Sequence, residues 1–194
     1  MKYQLIKKDI QKIVSTNLSF KDFNNKTILI TGASGFLPAY MVETLCELYF
    51  NKSISLKIVA LVRDIEKAKN RFQQLLAKDA PIEFLVQDVC EPINYKNSVN
   101  YIIHAASYGS PKYYGKKPVD TIKPNIMGTH NLLEFAKLQK IEKFLYFSSG
   151  EVYGNVTNEM VPTKETDFGY LDPCQLRSCY AEGKRAGENL CISY

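Results

Sequence analysis

The chain has few of the residues that build metal or disulfide frameworks. It contains two histidines and five cysteines, at positions 46, 90, 174, 179 and 191. No two cysteines stand in CxxC spacing. This argues against a zinc site and a disulfide framework, and fits reduced thiols in a cytoplasm. No metal is expected. No apolar run approaches the ~18 residues of a membrane span. The opening MKYQLIKKDIQKIV is charged throughout and lacks a signal-peptide core. Neither sign of charge dominates: 25 basic against 20 acidic residues leave +5, spread along the chain. That reads as a solvated surface and not as a nucleic-acid patch. Neither a membrane nor a nucleic acid is an expected partner. Internal repeats and low-complexity segments are missing too.

What is present is a regular alternation. The 45% hydrophobic composition over 194 residues suffices for a sizeable core. Leu5, Ile6, Ile10, Ile13 and Val14 recur at helical spacing, so residues 3–16 read as an amphipathic helix. Residues 1–25 are therefore a helical extension ahead of the main fold. After the polar FKDFNN, residues 27–31 form an apolar strand, followed by the turn TGASGF and a helix over 37–50. Pro38 lies in that helix's first turn, where proline is tolerated. LKIVALV (56–62) is a second strand. Residues 64–78 read as one helix, with Ile65, Ala68, Phe72, Leu75 and Leu76 on one face. IEFLVQDV and VNYIIHAAS are the third and fourth strands, YGSPKYYGKKP a loop, and 119–140 a helix in which Pro124 costs or bends a turn. KFLYFSS is the fifth strand. A long polar loop leads to the helix of RSCYAEGKRAGENL. Apolar strands alternating with helices indicate an α/β fold, a Rossmann-like doubly wound parallel sheet covered on both faces. Residues 26–194 are assigned to it.

The glycine turn carries the first chemistry. Gly32 and Gly35, with Ser34 between them, let the backbone turn sharply and approach a pyrophosphate. Phe36 and Leu37 open the following helix, whose N-terminal N–H groups and dipole favour an anion. After a buried strand this indicates dinucleotide binding. Pro38 stands where a third glycine is expected, which puts close packing of that helix on the sheet in question. The second strand ends in Arg63 and Asp64. A carboxylate there takes the ribose hydroxyls of NAD and an arginine the extra phosphate of NADP, so the pair points both ways, with a surface charge as the plain reading of Arg63. Asp88, closing the third strand with Val89 beside it, either accepts from an adenine amino group or is a turn aspartate. Ala105, Ala106 and Ser107 close the fourth strand and leave room for a cofactor at the strand ends. His104 reads as a satisfied, half-buried histidine and not as a catalyst.

The second chemistry lies in FSSGEVYG and SCYAEGKR. Ser148 and Ser149 follow the fifth strand, at the edge that carries the glycine turn. Tyr180 and Lys184 stand four apart on a helix, so phenol and ammonium share a face. Free tyrosine, with pKa ~10, is a poor base at neutral pH. A lysine ammonium one turn away favours the phenolate, which can then take a hydroxyl proton during hydride transfer. Ser149 can hydrogen-bond the same substrate oxygen.

Taken with QDVCEP, HAAS and KPNIMGTHNLLEFA, these motifs make the chain resemble an extended short-chain dehydrogenase/reductase of the NAD-dependent epimerase/dehydratase family. The resemblance runs from about Lys26 to the C-terminus. It implies a catalytic trio of Ser149, Tyr180 and Lys184, with Asn125 organising the active site and lining the cofactor. Three stretches, DVCEP, ASYGSPKYYGKKPVDTIKPNIMGT and RSCYAEGKRAGENLC, are similar to UDP-glucuronate decarboxylases. Gly150 and Glu151 follow Ser149 where 4,6-dehydratases carry adjacent Asp and Glu. A decarboxylase keeps the glutamate without the aspartate, while a solvated loop carboxylate is the plain reading of Glu151. The resemblance implies bound NAD, with NADP as the alternative, and a nucleoside-diphosphate sugar converted through a transient 4-keto intermediate. A 4,6-dehydratase or 4-epimerase, an NADP-dependent keto-sugar reductase, and a non-catalytic cofactor-binding fragment are the competing readings. Relative to such enzymes the sheet is expected to be incomplete, with the substrate lobe lying beyond Tyr194, and the full-length form is expected to be a homodimer.

Overall fold

The computed structural model describes residues 2–51 and 54–194. The chain divides into two compact units. The first comprises residues up to Asp88, Asn94–Ala105 and Ala136–Leu145; the second comprises Val89–Ile93, Ala106–Phe135 and Tyr146–Tyr194.

The first unit is built on a parallel sheet. Its strands are β1 (Lys26–Thr31), β2 (Leu56–Val62), β3 (Ile82–Val86), β4 (Tyr101–His104) and β5 (Lys143–Tyr146), in the order β3-β2-β1-β4-β5. Ile28 lies opposite both Ile58 and Tyr101, and Ile58 opposite Ile82. This is the order of the first five strands in a Rossmann sheet. β1 and β2 are central, and their apolar runs are explained by burial on both faces: Ile28, Leu29, Ile30, Ile58, Val59 and Ala60 have no exposed surface. Each such Ile or Leu contributes about 2 kcal/mol by leaving water. The third, fourth and fifth strands pair over fewer residues than their apolar stretches suggest, ending at Val86, His104 and Tyr146.

Helix α1 (Lys2–Val14) buries Ile6 and Ile10, while Leu5 and Ile13 face solvent. Tyr40 donates to Asp9 at 3.2 Å, so this helix is tied into the first unit. Helix α2 (Phe36–Asn51) packs closely despite Pro38 in place of glycine: Ala39, Val42, Cys46 and Leu48 are fully buried. Proline in the first turn forfeits only an N–H that has no intrahelical partner.

Residues 64–78 depart from the single helix expected. They form α3 (Ile65–Arg71) and α4 (Gln73–Leu76), broken at Phe72, whose φ of −105° and ψ of 13° leave the helical region. Phe72 is almost wholly buried and stacks on Phe84 at 6.4 Å between centroids. Burial of that ring outweighs helix continuity.

The residues after β4 also depart from expectation. YGSPKYYGKKP is not all loop, because α5 (Pro111–Tyr114) forms one turn with proline first and buries Tyr114. The helix expected over 119–140 becomes α6 (Pro118–Lys123), a π-helical turn (Pro124–Gly128) and α7 (Thr129–Gln139). Pro124 has no N–H to donate, and the wider turn absorbs the loss. Asn125 Nδ2 donates to Thr121 O at 2.8 Å, and Thr129 Oγ1 donates to Asn125 O at 2.6 Å. A 3-10 turn (Gly150–Tyr153) follows Ser149, and α8 (Ser178–Ser193) closes the second unit. No helix of the described residues is long and apolar enough to cross a membrane, and no group of three or more His, Cys, Asp or Glu among them could hold a metal ion.

Candidate active site

In the first unit the residues read as cofactor ligands stand at the carboxyl ends of β1, β2 and β4 and just beyond β3. Gly32 has φ of +63°, a conformation that a Cβ would strain, and Gly35 N donates to Gly32 O at 2.8 Å. A Cβ on Gly35 would lie 3.0 Å from that carbonyl. The turn therefore needs both glycines to keep its backbone tight. Ser34 lies within it, and the side chains of Phe36 and Leu37 point outward, 76% and 57% exposed. This leaves the backbone start of α2 as an anion cradle, and the residues present fit a dinucleotide pyrophosphate. Arg63 Nη1 stands 3.8 Å from Asp88 Oδ2, both exposed. Asp64 caps α3, accepting from Lys67 N at 2.9 Å. Thr31 Oγ1 lies 2.8 Å from His104 Nδ1 and accepts from Ala105 N at 3.1 Å, which fastens the end of β4 to that of β1. His104 is fully buried there, more deeply than the half-buried position expected of it.

In the second unit Val89 O accepts from Asn131 Nδ2 at 3.2 Å, and the Val89 side chain occupies the space above Gly128. Ala106 and Ser107 follow β4; Ser107 Oγ is buried without a hydrogen-bond partner among the described residues. Asn125 is fully buried, and its Oδ1 is likewise without a partner among them. Gly183 on α8 lets that helix pass close to Asn125, since a Cβ there would stand 3.2 Å from the Asn125 Cβ.

Tyr180 and Lys184 lie one turn apart on α8, both buried. Lys184 Nζ donates to Phe147 O at 2.5 Å and stands 4.7 Å from the Tyr146 ring centroid and 5.8 Å from that of Tyr180. Burial pulls its ammonium down to about 8, against a small opposing pull from Glu188. The Tyr180 ring stacks on Tyr114 with centroids 4.4 Å apart and planes within 9°. Ser148 donates to Glu188, whereas Ser149 caps the 3-10 turn, its Oγ accepting from Glu151 N at 3.3 Å. Glu151 is gripped by Arg177, Nη1 to Oε2 and Nη2 to Oε1, both 2.8 Å. The Arg177 guanidinium also lies 5.9 Å from the Tyr114 ring centroid.

The structure thus joins Glu151, Tyr180 and Lys184 to groups the motifs did not single out. Arg177, Tyr114 and Tyr146 surround them. Only Arg177 leaves a trace in the sequence, three positions before Tyr180 and so on the same helical side. Tyr114 lies in what reads as a loop, and nothing in its spacing marks it.

Residues 28–194 match the NAD dependent epimerase/dehydratase family. UDP-glucuronic acid decarboxylase 1 of Arabidopsis thaliana is 35% identical over 167 residues, 86% of this chain and 36% of that protein. UDP-glucuronic acid decarboxylase 1 of Danio rerio is 34% identical over 177 residues, 91% of this chain and 39% of its own length. The chain spans between about a third and a half of the curated relatives it matches. Among solved structures, UDP-glucuronic acid 4-epimerase from Bacillus cereus in complex with NAD superposes with a TM-score of 0.65 at 25% identity, covering 87% of this chain and 51% of that one. The UDP-glucose-4-epimerase of Stenotrophomonas maltophila shares the fold, with a TM-score of 0.67 at 18% identity over 87% of this chain and 48% of its own. Of the two nicotinamide cofactors that Arg63 and Asp64 leave open, NAD is the one in the family's description. On its sequence match, its strand order and its glycine turn, the chain belongs to the NAD-dependent epimerase/dehydratase family.

Proposed function

We propose that this protein acts on a nucleoside-diphosphate sugar through a transient 4-keto intermediate, as a UDP-glucuronate decarboxylase. The observation that carries this reading is the Tyr180–Lys184 pair on α8, together with a Glu151 preceded by glycine in place of aspartate. The decarboxylase relatives support the choice of reaction.

Bound NAD supplies reversible hydride chemistry at the sugar carbon. Gly32, Ser34, Gly35, Phe36 and Leu37 would hold its pyrophosphate; Arg63, Asp64, Asp88 and Val89 its adenosine half; Ala105, Ala106, Ser107 and Asn125 would line its path. Tyr180 as phenolate takes the proton of the C4 hydroxyl, and Ser149 steadies that oxygen by a hydrogen bond. Lys184, a cation with little water around it, stabilises the phenolate more than it would at a surface. Once C4 is a ketone, the carboxylate on C5 is a β-keto acid and loses CO2. Glu151 serves proton transfer in the steps that follow. A hexose substrate in the same arrangement would lose water instead.

Incubating the full-length protein with UDP-glucuronate, and separately with dTDP- or CDP-glucose, tests the reading. Release of CO2 from the first is expected. Appearance of a C4 epimer alone, with neither CO2 nor a 4-keto product, would overturn decarboxylation and dehydration together. A cytoplasmic location and a homodimeric full-length form complete the proposal.

A further inference from the structure

Arg177 touches two of the residues gathered around the catalytic group, Glu151 and Tyr114. Its guanidinium makes a two-pronged ion pair with Glu151, across 26 residues of sequence. The same guanidinium lies over the ring of Tyr114, which is buried and stacked face to face on Tyr180. The guanidinium meets both carboxylate oxygens at once, and lysine could supply neither the fork nor the flat face. Gly150, next to Glu151 in the chain, has open space where a Cβ would stand, with nothing within 4 Å outside its chain neighbours. Among the described residues, it is the Arg177 side chain that hydrogen-bonds the Glu151 carboxylate.

We propose that Arg177 is a positioning residue that sets Glu151 and, through the Tyr114 ring, Tyr180 in fixed register with one another. The two groups act in succession on one sugar under the proposed reaction, on which the catalytic half of this inference rests. Tyr180 works at the C4 oxygen before CO2 leaves, and Glu151 works afterwards. A strut between them ensures that the second group is in place when the first has finished. Loss of the strut therefore slows the later step more than substrate binding, and the ketone escapes before the cycle closes.

Two measurements decide the matter. In the 194-residue chain without substrate or cofactor, ring spectra of isotope-labelled tyrosine report the stack directly. The ring-current shift of Tyr180 is expected to persist in Tyr114→Phe and vanish in Tyr114→Leu. In Arg177→Ala and Arg177→Lys the resonances of both tyrosines are expected to move. The Arg177 side chain is 57% exposed, so these variants are expected to fold. Unmoved Tyr180 resonances in Arg177→Ala would overturn the strut. In the full-length protein with UDP-glucuronate, Arg177→Ala is expected to lose roughly ten- to a hundredfold in kcat with KM little changed, and to release a larger share of keto sugar. Arg177→Lys is expected to behave like Arg177→Ala, since charge alone does not restore the geometry. Wild-type kcat and product ratio in Arg177→Ala, or full rescue by lysine, would overturn the positioning role. If the wild-type protein leaves UDP-glucuronate untouched, the proposed reaction fails, while the ring spectra still decide the strut.

Discussion

Lys184 offers a direct test of how the second unit holds a charge away from water. Its side chain is only slightly exposed, and burial pulls its ammonium from an ordinary 10.5 down to about 8. The folded chain therefore binds this proton less well than the unfolded chain does. Between the two values the unfolded state holds more protons, so stability rises with pH. The penalty is full below about pH 8, relieved as pH climbs, and gone above the unfolded value near 10.5. One pKa unit is worth about 1.36 kcal/mol, so the whole penalty is about 3 kcal/mol, with about 2 kcal/mol of it relieved between pH 8 and pH 10. Replacement by the similarly shaped, uncharged methionine in Lys184→Met removes the titration. It also removes the hydrogen bond to Phe147 O, which both the ammonium and the amine can donate. Urea unfolding followed by far-ultraviolet circular dichroism at several pH values gives both curves. Groups such as Cys46, whose thiol burial pushes up to about 12, titrate alike in the two proteins and cancel in the difference. The expected result is a difference in unfolding free energy that shifts by about 2 kcal/mol in favour of the wild type from pH 8 to pH 10. A flat difference, or one that moves the other way, would refute the claim that Lys184 is held as a poorly solvated cation.

Gly35→Ala would place a methyl 3.0 Å from Gly32 O, and loss of NAD binding by the chain in calorimetry is expected, with retained affinity counting against the cradle. Asp64→Ala removes the acceptor for Lys67 N and is expected to cost about 1 kcal/mol in urea unfolding. If it also abolishes NAD binding, Asp64 does more than cap α3. Gly187→Ala drives a methyl into the Tyr146 ring and is expected to destabilise by roughly 1–3 kcal/mol, read as a lower thermal midpoint.

The sheet was legible because burial on both faces leaves unbroken apolar runs, and Ile28–Ile30 and Ile58–Leu61 have almost no other reading. The glycine turn was legible because Gly32 needs positive φ and Gly35 a close carbonyl. Both are local demands on residue type. The break at Phe72 was not legible, since it depends on Phe84 offering a surface twelve residues away. The π-helical turn needed more than Pro124; it needed Asn125 to spend its amide on Thr121 O. The Arg177–Glu151 pair is invisible for the same reason, being formed across 26 residues that no periodicity links. Tyr180 and Lys184 could be read from spacing, but Tyr114 beneath Tyr180 could not.

The strand order also has a bearing on how the chain is made. Of the five strands of the sheet, β1 is the first to leave the ribosome, and it lies in the middle. β2 joins it on one side and β3 extends that side, so half of the sheet can assemble before β4 is synthesised. The other side waits for β4 and then for β5, more than a hundred residues after β1. Until β4 arrives, the free edge of β1 is a template for any passing strand. Parallel pairing over such separations is slow. The vulnerable period in the life of this protein is thus set by translation of residues 87–100, between a completed half-sheet and the strand that seals its centre.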